Sequence, residues 1–187
     1  ERALEDASRE FEARGGDIVI LDVHTGELLA LASRTRDGER SVTNRATFFT
    51  DPFEPGSTAK LFTAGALLTH ARVDSTDEVF AENGAWRFPT NSRGAFRTIN
   101  DVHKIQGNVT LAGAIKYSSN IAMAKFSERL TPTEQFEALR AFGFGSPAGV
   151  EFPSEARGEL RMPHLWDSYA KASVAMGYAF AVTPVQL

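Results

Sequence analysis

Leu4, Ala7 and Phe11 recur at helical spacing, and Gly15-Gly16 ends the run, which predicts a helix over residues 1–14. The period then changes. DIVILDV and ELLALAS are two apolar runs on either side of His24-Thr25-Gly26, and they predict a hairpin from Asp17 to Ser33. Both runs are almost continuously apolar, so the pair is expected at the centre of a sheet covered on both faces. Residues 34–53 are polar and irregular and read as a long surface segment.

The helical period returns at Ser57 and holds to about Ala71. Leu61, Phe62, Ala64, Ala66, Leu67 and Leu68 make that helix apolar on almost every side, so it is expected to be buried. Asn83-Gly84 between VFAE and AWRF is a strong short hairpin signal within a mixed stretch, residues 72–109. Thr110 can cap a helix over Leu111–Lys116. Tyr117-Ser118-Ser119-Asn120 interrupts, and Ile121 to Leu130 resumes helical spacing. Thr131-Pro132-Thr133-Glu134 is a capping box with proline at the first helical position, predicting a helix to about Phe142 that stops at Gly143. A Gly/Pro-rich loop over 143–163 and a helix over 165–181 complete the chain. The pattern has no internal repeat. It describes one hairpin followed by a mostly helical block, and a two-stranded hairpin is not a stable sheet by itself.

Composition narrows the class. With 187 residues, 42% hydrophobic and 24% charged, the chain is globular rather than disordered. A net charge of −4 with no Lys/Arg run argues against nucleic acid as a partner. The absence of cysteine excludes a disulfide scaffold, a thiolate nucleophile and a cysteine zinc site. His24, His70, His103 and His164 are scattered and form no H-E-x-x-H, so a metal site is not expected. No apolar stretch is long enough to span a membrane, and ERALEDASRE has no signal-peptide core. The chain reads as a piece of a longer protein.

Chemistry concentrates in two places. In Glu54-Pro55-Gly56-Ser57-Thr58-Ala59-Lys60, Ser57 and Lys60 stand three apart on one helical face, so an amine can meet a hydroxyl at a helix N-terminus. A lysine whose pKa is lowered by burial can take a proton from an attacking serine. The same residues also fit an N-cap followed by a solvated first-turn lysine. Tyr117-Ser118-Ser119-Asn120 is either a simple turn or a corner that presents a second hydroxyl, Ser118, and an amide, Asn120. Asp101 and His103 can be read as a charge-relay pair, although structural use fits them better. Trp86 and Trp166 are expected to pack. S-x-x-K followed by S-x-N is the motif pair of serine penicillin-interactive enzymes.

With these motifs in hand, the chain resembles the transpeptidase domain of class B penicillin-binding proteins over most of its length. The resemblance is carried by DIVILDVHTGELLALAS, NRATFFTDPFEPGSTAKLFTAGALL, AIKYSSNIAMAKFSERL, RAFGFGSPAGVEFPSEARGEL and SVAMGYAFAVTPVQL. Within that family the septal, cell-division branch is most similar. The resemblance implies an α/β (α+β) fold of the penicillin-binding protein and serine β-lactamase kind, an antiparallel sheet packed against helices, present only in part as one partial domain over 1–187. It implies Ser57 as the acylated nucleophile, Lys60 as its base, Ser118 as a proton relay, Asn120 as a ligand of the substrate's peptide amide, and the Ser57 N–H as half of an oxyanion hole. The implied substrate is a peptidoglycan stem peptide ending in D-Ala-D-Ala, with β-lactams as its mimics, and the implied reaction needs no metal or cofactor. The implied partners are a glycosyltransferase and the division machinery. The implied location is the outer side of the cell membrane, with an anchor outside this chain.

The family's third motif, K-T-G, is missing from the five lysines (Lys60, Lys104, Lys116, Lys125, Lys171). His24-Thr25-Gly26 is read as turn chemistry, and the K-T-G strand is expected beyond Leu187. The alternatives are a hydrolase of the β-lactamase or D,D-carboxypeptidase type, or a non-catalytic scaffold that keeps the fold.

Overall fold

Arg2 to Glu10 forms the first helix (α1) of the computed structural model, which describes residues 1–37, 41–43, 45–90 and 94–187. Leu4 is its buried residue, and Phe11 begins the exit, short of the expected end at residue 14. β1 (Gly15–Leu21) and β2 (Leu28–Asp37) then form the expected antiparallel hairpin, with Val19 opposite Leu31. The turn is made by Asp22, whose Oδ1 accepts from the N–H groups of His24 (2.8 Å) and Thr25 (2.9 Å) while Gly26 takes φ 73°. His24-Thr25-Gly26 is therefore turn chemistry, as expected.

β3 (Ser41–Thr43) adds to β2, and α2 (Thr47–Thr50) follows. Two expectations fail here. The segment 34–53 is not irregular throughout its described residues (38–40 and 44 lie outside them), because β2 runs on through Asp37 and both β3 and α2 fall inside it. Polar composition hid them, since pairing with β2 and the hydroxyl network described next organise the segment, not an apolar stripe. In that network Thr47 donates to the Asp17 carboxylate at 2.6 Å and is itself hydrogen-bonded to Ser33. The hairpin is also not central with both faces covered. The sheet order is β1-β2-β3, so β1 is an edge strand among the described residues, and Ile20, Leu21 and Leu29 are exposed. A continuous apolar run signals two-sided burial only where both faces find cover.

These elements form one compact unit with residues 145–158 and 182–187, where Phe53 and Val182 make an antiparallel bridge and Phe49 stacks against Phe152. The second unit, residues 54–144 and 159–181, holds the remaining elements.

The second unit opens with a 3₁₀ turn over Gly56–Ala59 that runs into α3 (Lys60–Thr69). α3 is not buried all round, since Leu61 and Leu68 are each 61% exposed, while Ala64, Ala66 and Leu67 face the core. β4 (Glu78–Phe80) and β5 (Ala85–Pro89) flank Asn83-Gly84, yet they do not pair with each other. The segment Glu82–Gly84 is a 3₁₀ turn with left-handed residues, β5 pairs with β6 (Phe96–Asn100), and β4 pairs with β7 (Asn108–Thr110). The predicted hairpin is thus replaced by a strand break that sends its two arms into separate ribbons. Local turn chemistry was satisfied, but the partners came from farther along the chain.

Helix boundaries follow their caps. Thr110 accepts from the Gly113 N–H and starts α4 (Leu111–Lys116); Ser119 accepts from Ala122 and starts α5 (Asn120–Ser127). The capping box of Thr131 and Glu134 starts α6 (Pro132–Ala141). A short turn at Pro163–Leu165 precedes α7 (Ser168–Met176), which is capped by Asp167 and stopped by Gly177 in the left-handed region. It is shorter than the predicted helix over 165–181. The core of this unit joins α3, α4, α5 and β7 through Leu67, Leu111, Met123, Phe126 and Val109. A second cluster seats Ile121 and Ala124 of α5 on Phe88, Ile99, Ala172 and Met176. Trp86 lies edge-on to Phe88, and Trp166 to Phe136, so both tryptophans pack. The mixture of helices and antiparallel strands matches the expected fold class.

Candidate active site

Gly56 carries the chain into the nucleophile turn with φ 60°, a left-handed value that glycine adopts without strain. The next residue, Ser57, is exposed, and Lys60 lies one turn on with 2% of its surface accessible. Thr58 ties the turn together by donating to the Pro55 carbonyl at 2.7 Å. Burial of an ammonium needs acceptors, and three are in place. The Lys60 Nζ is 3.1 Å from the Ser57 Oγ, 3.1 Å from the Ser118 Oγ and 2.6 Å from the Ser118 carbonyl oxygen.

That arrangement decides what a neutral lysine can do. The Ser118 carbonyl only accepts, so an amine that keeps an N–H on it turns its lone pair toward a hydroxyl. Desolvation pushes the Lys60 pKa down to about 8, and the nearby negative charge of Asp101 opposes the shift. A base with a pKa near neutrality is suited to proton transfer in a way that an exposed lysine is not.

The second wall is the corner between α4 and α5. Ser118 sits at φ 53°, unusual for a residue with a β-carbon, and its N–H donates to Ile115 O at 3.1 Å. This kink turns both the hydroxyl and the carbonyl of Ser118 onto Lys60. Asn120, the first residue of α5, donates from Nδ2 to Asn100 O at 2.9 Å, which orients its amide. Ser57, Lys60, Ser118 and Asn120 are therefore gathered in one unit, as the sequence motifs require.

Asp101 was weighed as a relay partner of His103. Its carboxylate instead accepts from the Ser119 hydroxyl (2.6 Å), the Asn120 N–H (2.6 Å) and the Ile121 N–H (3.0 Å). It caps α5 from outside the helix. Only its apolar surroundings, with Ile99 two residues before it, hinted at that burial. The loop after α7 supports the nucleophile from the other side, with the Gly56 N–H donating to Gly177 O at 3.0 Å and Glu54 accepting from the Ala179 N–H at 2.9 Å. Sequence reasoning missed both contacts, which join residues more than a hundred positions apart. Among the described residues, no group of His, Asp and Glu could hold a metal ion, and no helix is long and apolar enough to cross a membrane.

Comparison with known proteins decides the family. The model of the penicillin binding protein transpeptidase domain matches residues 16–187. The chain belongs to this family. The class B resemblance drawn from the motifs is borne out by its relatives. A probable peptidoglycan D,D-transpeptidase, PbpC of Pseudomonas aeruginosa, is 32% identical over 195 residues, covering 100% of this chain and 33% of that protein. The peptidoglycan D,D-transpeptidase FtsI of Escherichia coli is 28% identical over 193 residues, covering 100% of this chain and 31% of that one. Among solved structures, the transpeptidase domain of penicillin-binding protein 3 from Burkholderia pseudomallei superposes with a TM-score of 0.81 at 32% identity, over 99% of this chain and 51% of that one. A Burkholderia ambifaria structure described as a peptidoglycan glycosyltransferase gives 0.83 at 32% identity, over 99% and 54%. The chain thus spans about a third of the curated relatives it matches.

Proposed function

We propose that this chain carries the acyl-transfer centre of a peptidoglycan D,D-transpeptidase. The observation that supports the reading most is the placement of one buried amine, Lys60 Nζ, 3.1 Å from each of two hydroxyls, Ser57 and Ser118. In the proposed reaction, neutral Lys60 takes the proton of Ser57 as its Oγ attacks the carbonyl carbon of the penultimate D-Ala. The oxyanion is held by the Ser57 N–H at the helix start, with a second donor expected from the K-T-G strand. Lys60 then returns its proton through the Ser118 hydroxyl to the leaving amine, the C–N bond breaks, and terminal D-Ala departs, leaving an ester on Ser57. An amine from a neighbouring strand attacks the ester, loses its proton through Ser118 and Lys60, and releases Ser57. Asn120 holds the substrate's peptide amide. A β-lactam enters the same path, but its leaving nitrogen stays tethered.

Transfer is read over hydrolysis because the segments around the motifs fit transpeptidases better, and because Asp101, which holds the Asn120 corner, is already taken up by three donors. From the resemblance of its motifs to the septal branch, the proposed role is septal wall synthesis with glycosyltransferase and divisome partners, on the outer side of a membrane to which an anchor outside this chain would hold it.

Labelling with a fluorescent penicillin, using the full-length protein that contains this chain, tests the reading. The expected result is an adduct on the Ser57 peptide that Ser57→Ala abolishes. An adduct that survives Ser57→Ala overturns it, and rapid turnover of nitrocefin would point to a hydrolase.

A further inference from the structure

The corner that carries Ser118 and Asn120 is held from two sides. From α4, backbone bonds run from Ser118 N to Ile115 O (3.1 Å) and from Ser119 N to Ala114 O (2.9 Å). From the end of β6, Asn100 O accepts the Asn120 side-chain amide, and Asp101 accepts the Ser119 hydroxyl and two α5 N–H groups. Asp101 is itself fixed, since its N–H donates to Gly84 O at 3.1 Å.

This carboxylate exceeds what the helix needs. Ser119 already caps α5 by accepting from Ala122 at 2.9 Å, and a serine N-cap suffices for most helices. A buried carboxylate costs desolvation free energy, which a cap alone does not require. What Asp101 adds is twofold. It anchors Ser119 and Asn120, the residues on the far side of left-handed Ser118, and it places a negative charge near a buried ammonium.

We propose that Asp101 is a positioning residue of this site: through its bonds to Ser119, Asn120 and Ile121 it locks the Ser118–Asn120 corner in register with Ser57 and Lys60. The inference rests on the proposed acyl-transfer reading for its kinetic part only. The effect of Asp101 on Lys60 is to favour the ammonium, in opposition to desolvation.

Asp101→Asn is nearly isosteric. Its Oδ1 can keep the Asn120 and Ile121 N–H groups, so the α5 side of the corner survives, while the Ser119 hydroxyl loses its acceptor. Asp101→Ala removes all three bonds. The decisive measurements, in the full-length protein at a temperature where each variant remains folded, are the rate constant of penicillin acylation and amide hydrogen exchange at residues 119–121. Asp101→Ala is expected to lose about 10²-fold in acylation rate constant, the scale of a misplacement of about 1 Å, and to speed exchange at those amides. Asp101→Asn is expected to recover most of that loss. An Asp101→Ala protein that acylates at the wild-type rate, or an Asp101→Asn protein that loses as much as Asp101→Ala, overturns the proposal. If the wild type forms no Ser57 adduct, the transferase reading fails and hydrogen exchange still decides whether Asp101 holds the corner.

Discussion

The Gly56 N–H donates to the Gly177 carbonyl at 3.0 Å, and a β-carbon on Gly177 would lie 1.8 Å from the Gly56 carbonyl oxygen. The end of α7 therefore lies directly against the backbone that presents Ser57. Gly177 also stops α7 at φ 95°. Gly143 offers a control, with φ 91° and nothing within 4 Å of its would-be β-carbon. Gly143→Ala should cost only the left-handed penalty, about 1–2 kcal/mol. Gly177→Ala should cost clearly more in thermal or denaturant unfolding and should abolish penicillin labelling of Ser57. Equal losses for the two variants would show that close approach is not what requires glycine at 177.

Acylation should rise with pH through about 8, the value to which burial lowers Lys60, and then level off. Below it the nitrogen is an ammonium without a lone pair; above it the amine can take the Ser57 proton. Rate constants of penicillin acylation between pH 6 and 10 are the measurement, and Lys60→Arg, which cannot deprotonate, should be inactive throughout.

The same shift has a sign in stability. From about 8 up to the ordinary lysine value of 10.5, the unfolded chain holds a proton on this residue that the folded chain has released. The Lys60 contribution is fully present above that window, rises with pH across it, and is lost as pH falls through about 8. Denaturant midpoints measured across the window should climb in the wild type relative to Lys60→Met.

Asn120→Ala should weaken penicillin binding by about tenfold with a smaller change in the acylation step, the scale of one hydrogen bond. Ser118→Ala should do the reverse and lower the acylation step by about 10²-fold or more, as expected for a lost proton relay. Stopped-flow separation of the two constants checks both, and a swapped pattern would reverse the assigned roles.

At the start of α6, Thr131 accepts from the Glu134 N–H at 3.1 Å, while Glu134 accepts from the Thr131 N–H at 2.7 Å and pairs with Arg72. Thr131→Ala should cost about 1 kcal/mol of unfolding free energy. The Glu134 carboxyl is held down to about 2, first by the Thr131 N–H and then by Arg72, from an ordinary value of 4.5. Its contribution is present above about 4.5 and lost as pH falls toward 2, so Glu134→Gln should flatten the acid limb of the stability profile.

Much of this was legible in the residues because the rules involved act between chain neighbours. Asp22 with Thr25 and Gly26 makes a turn wherever it stands. Thr110, Thr131 and Glu134 each bond an N–H three residues away. The spacings of S-x-x-K and S-x-N put reactive groups on one helical turn and one corner. These features, by themselves, determined the starts of α4 and α6, the first hairpin, the family resemblance and the candidate residues.

What depends on distant partners was decided only by the tertiary structure. Asn83-Gly84 had the chemistry of a hairpin, but β4 and β5 found better edges in β7 and β6. Leu61 and Leu68 looked like core and face outward. Structural use fitted Asp101 better than a relay, but which groups it holds was not legible, because those N–H groups lie 19 and 20 residues ahead. The affinity of Lys60 for a proton is lowered by burial, against the opposing charge of Asp101 far along the chain. Local sequence can place a lysine near a serine, but only the packed interior removes its water and lowers its hold on the proton.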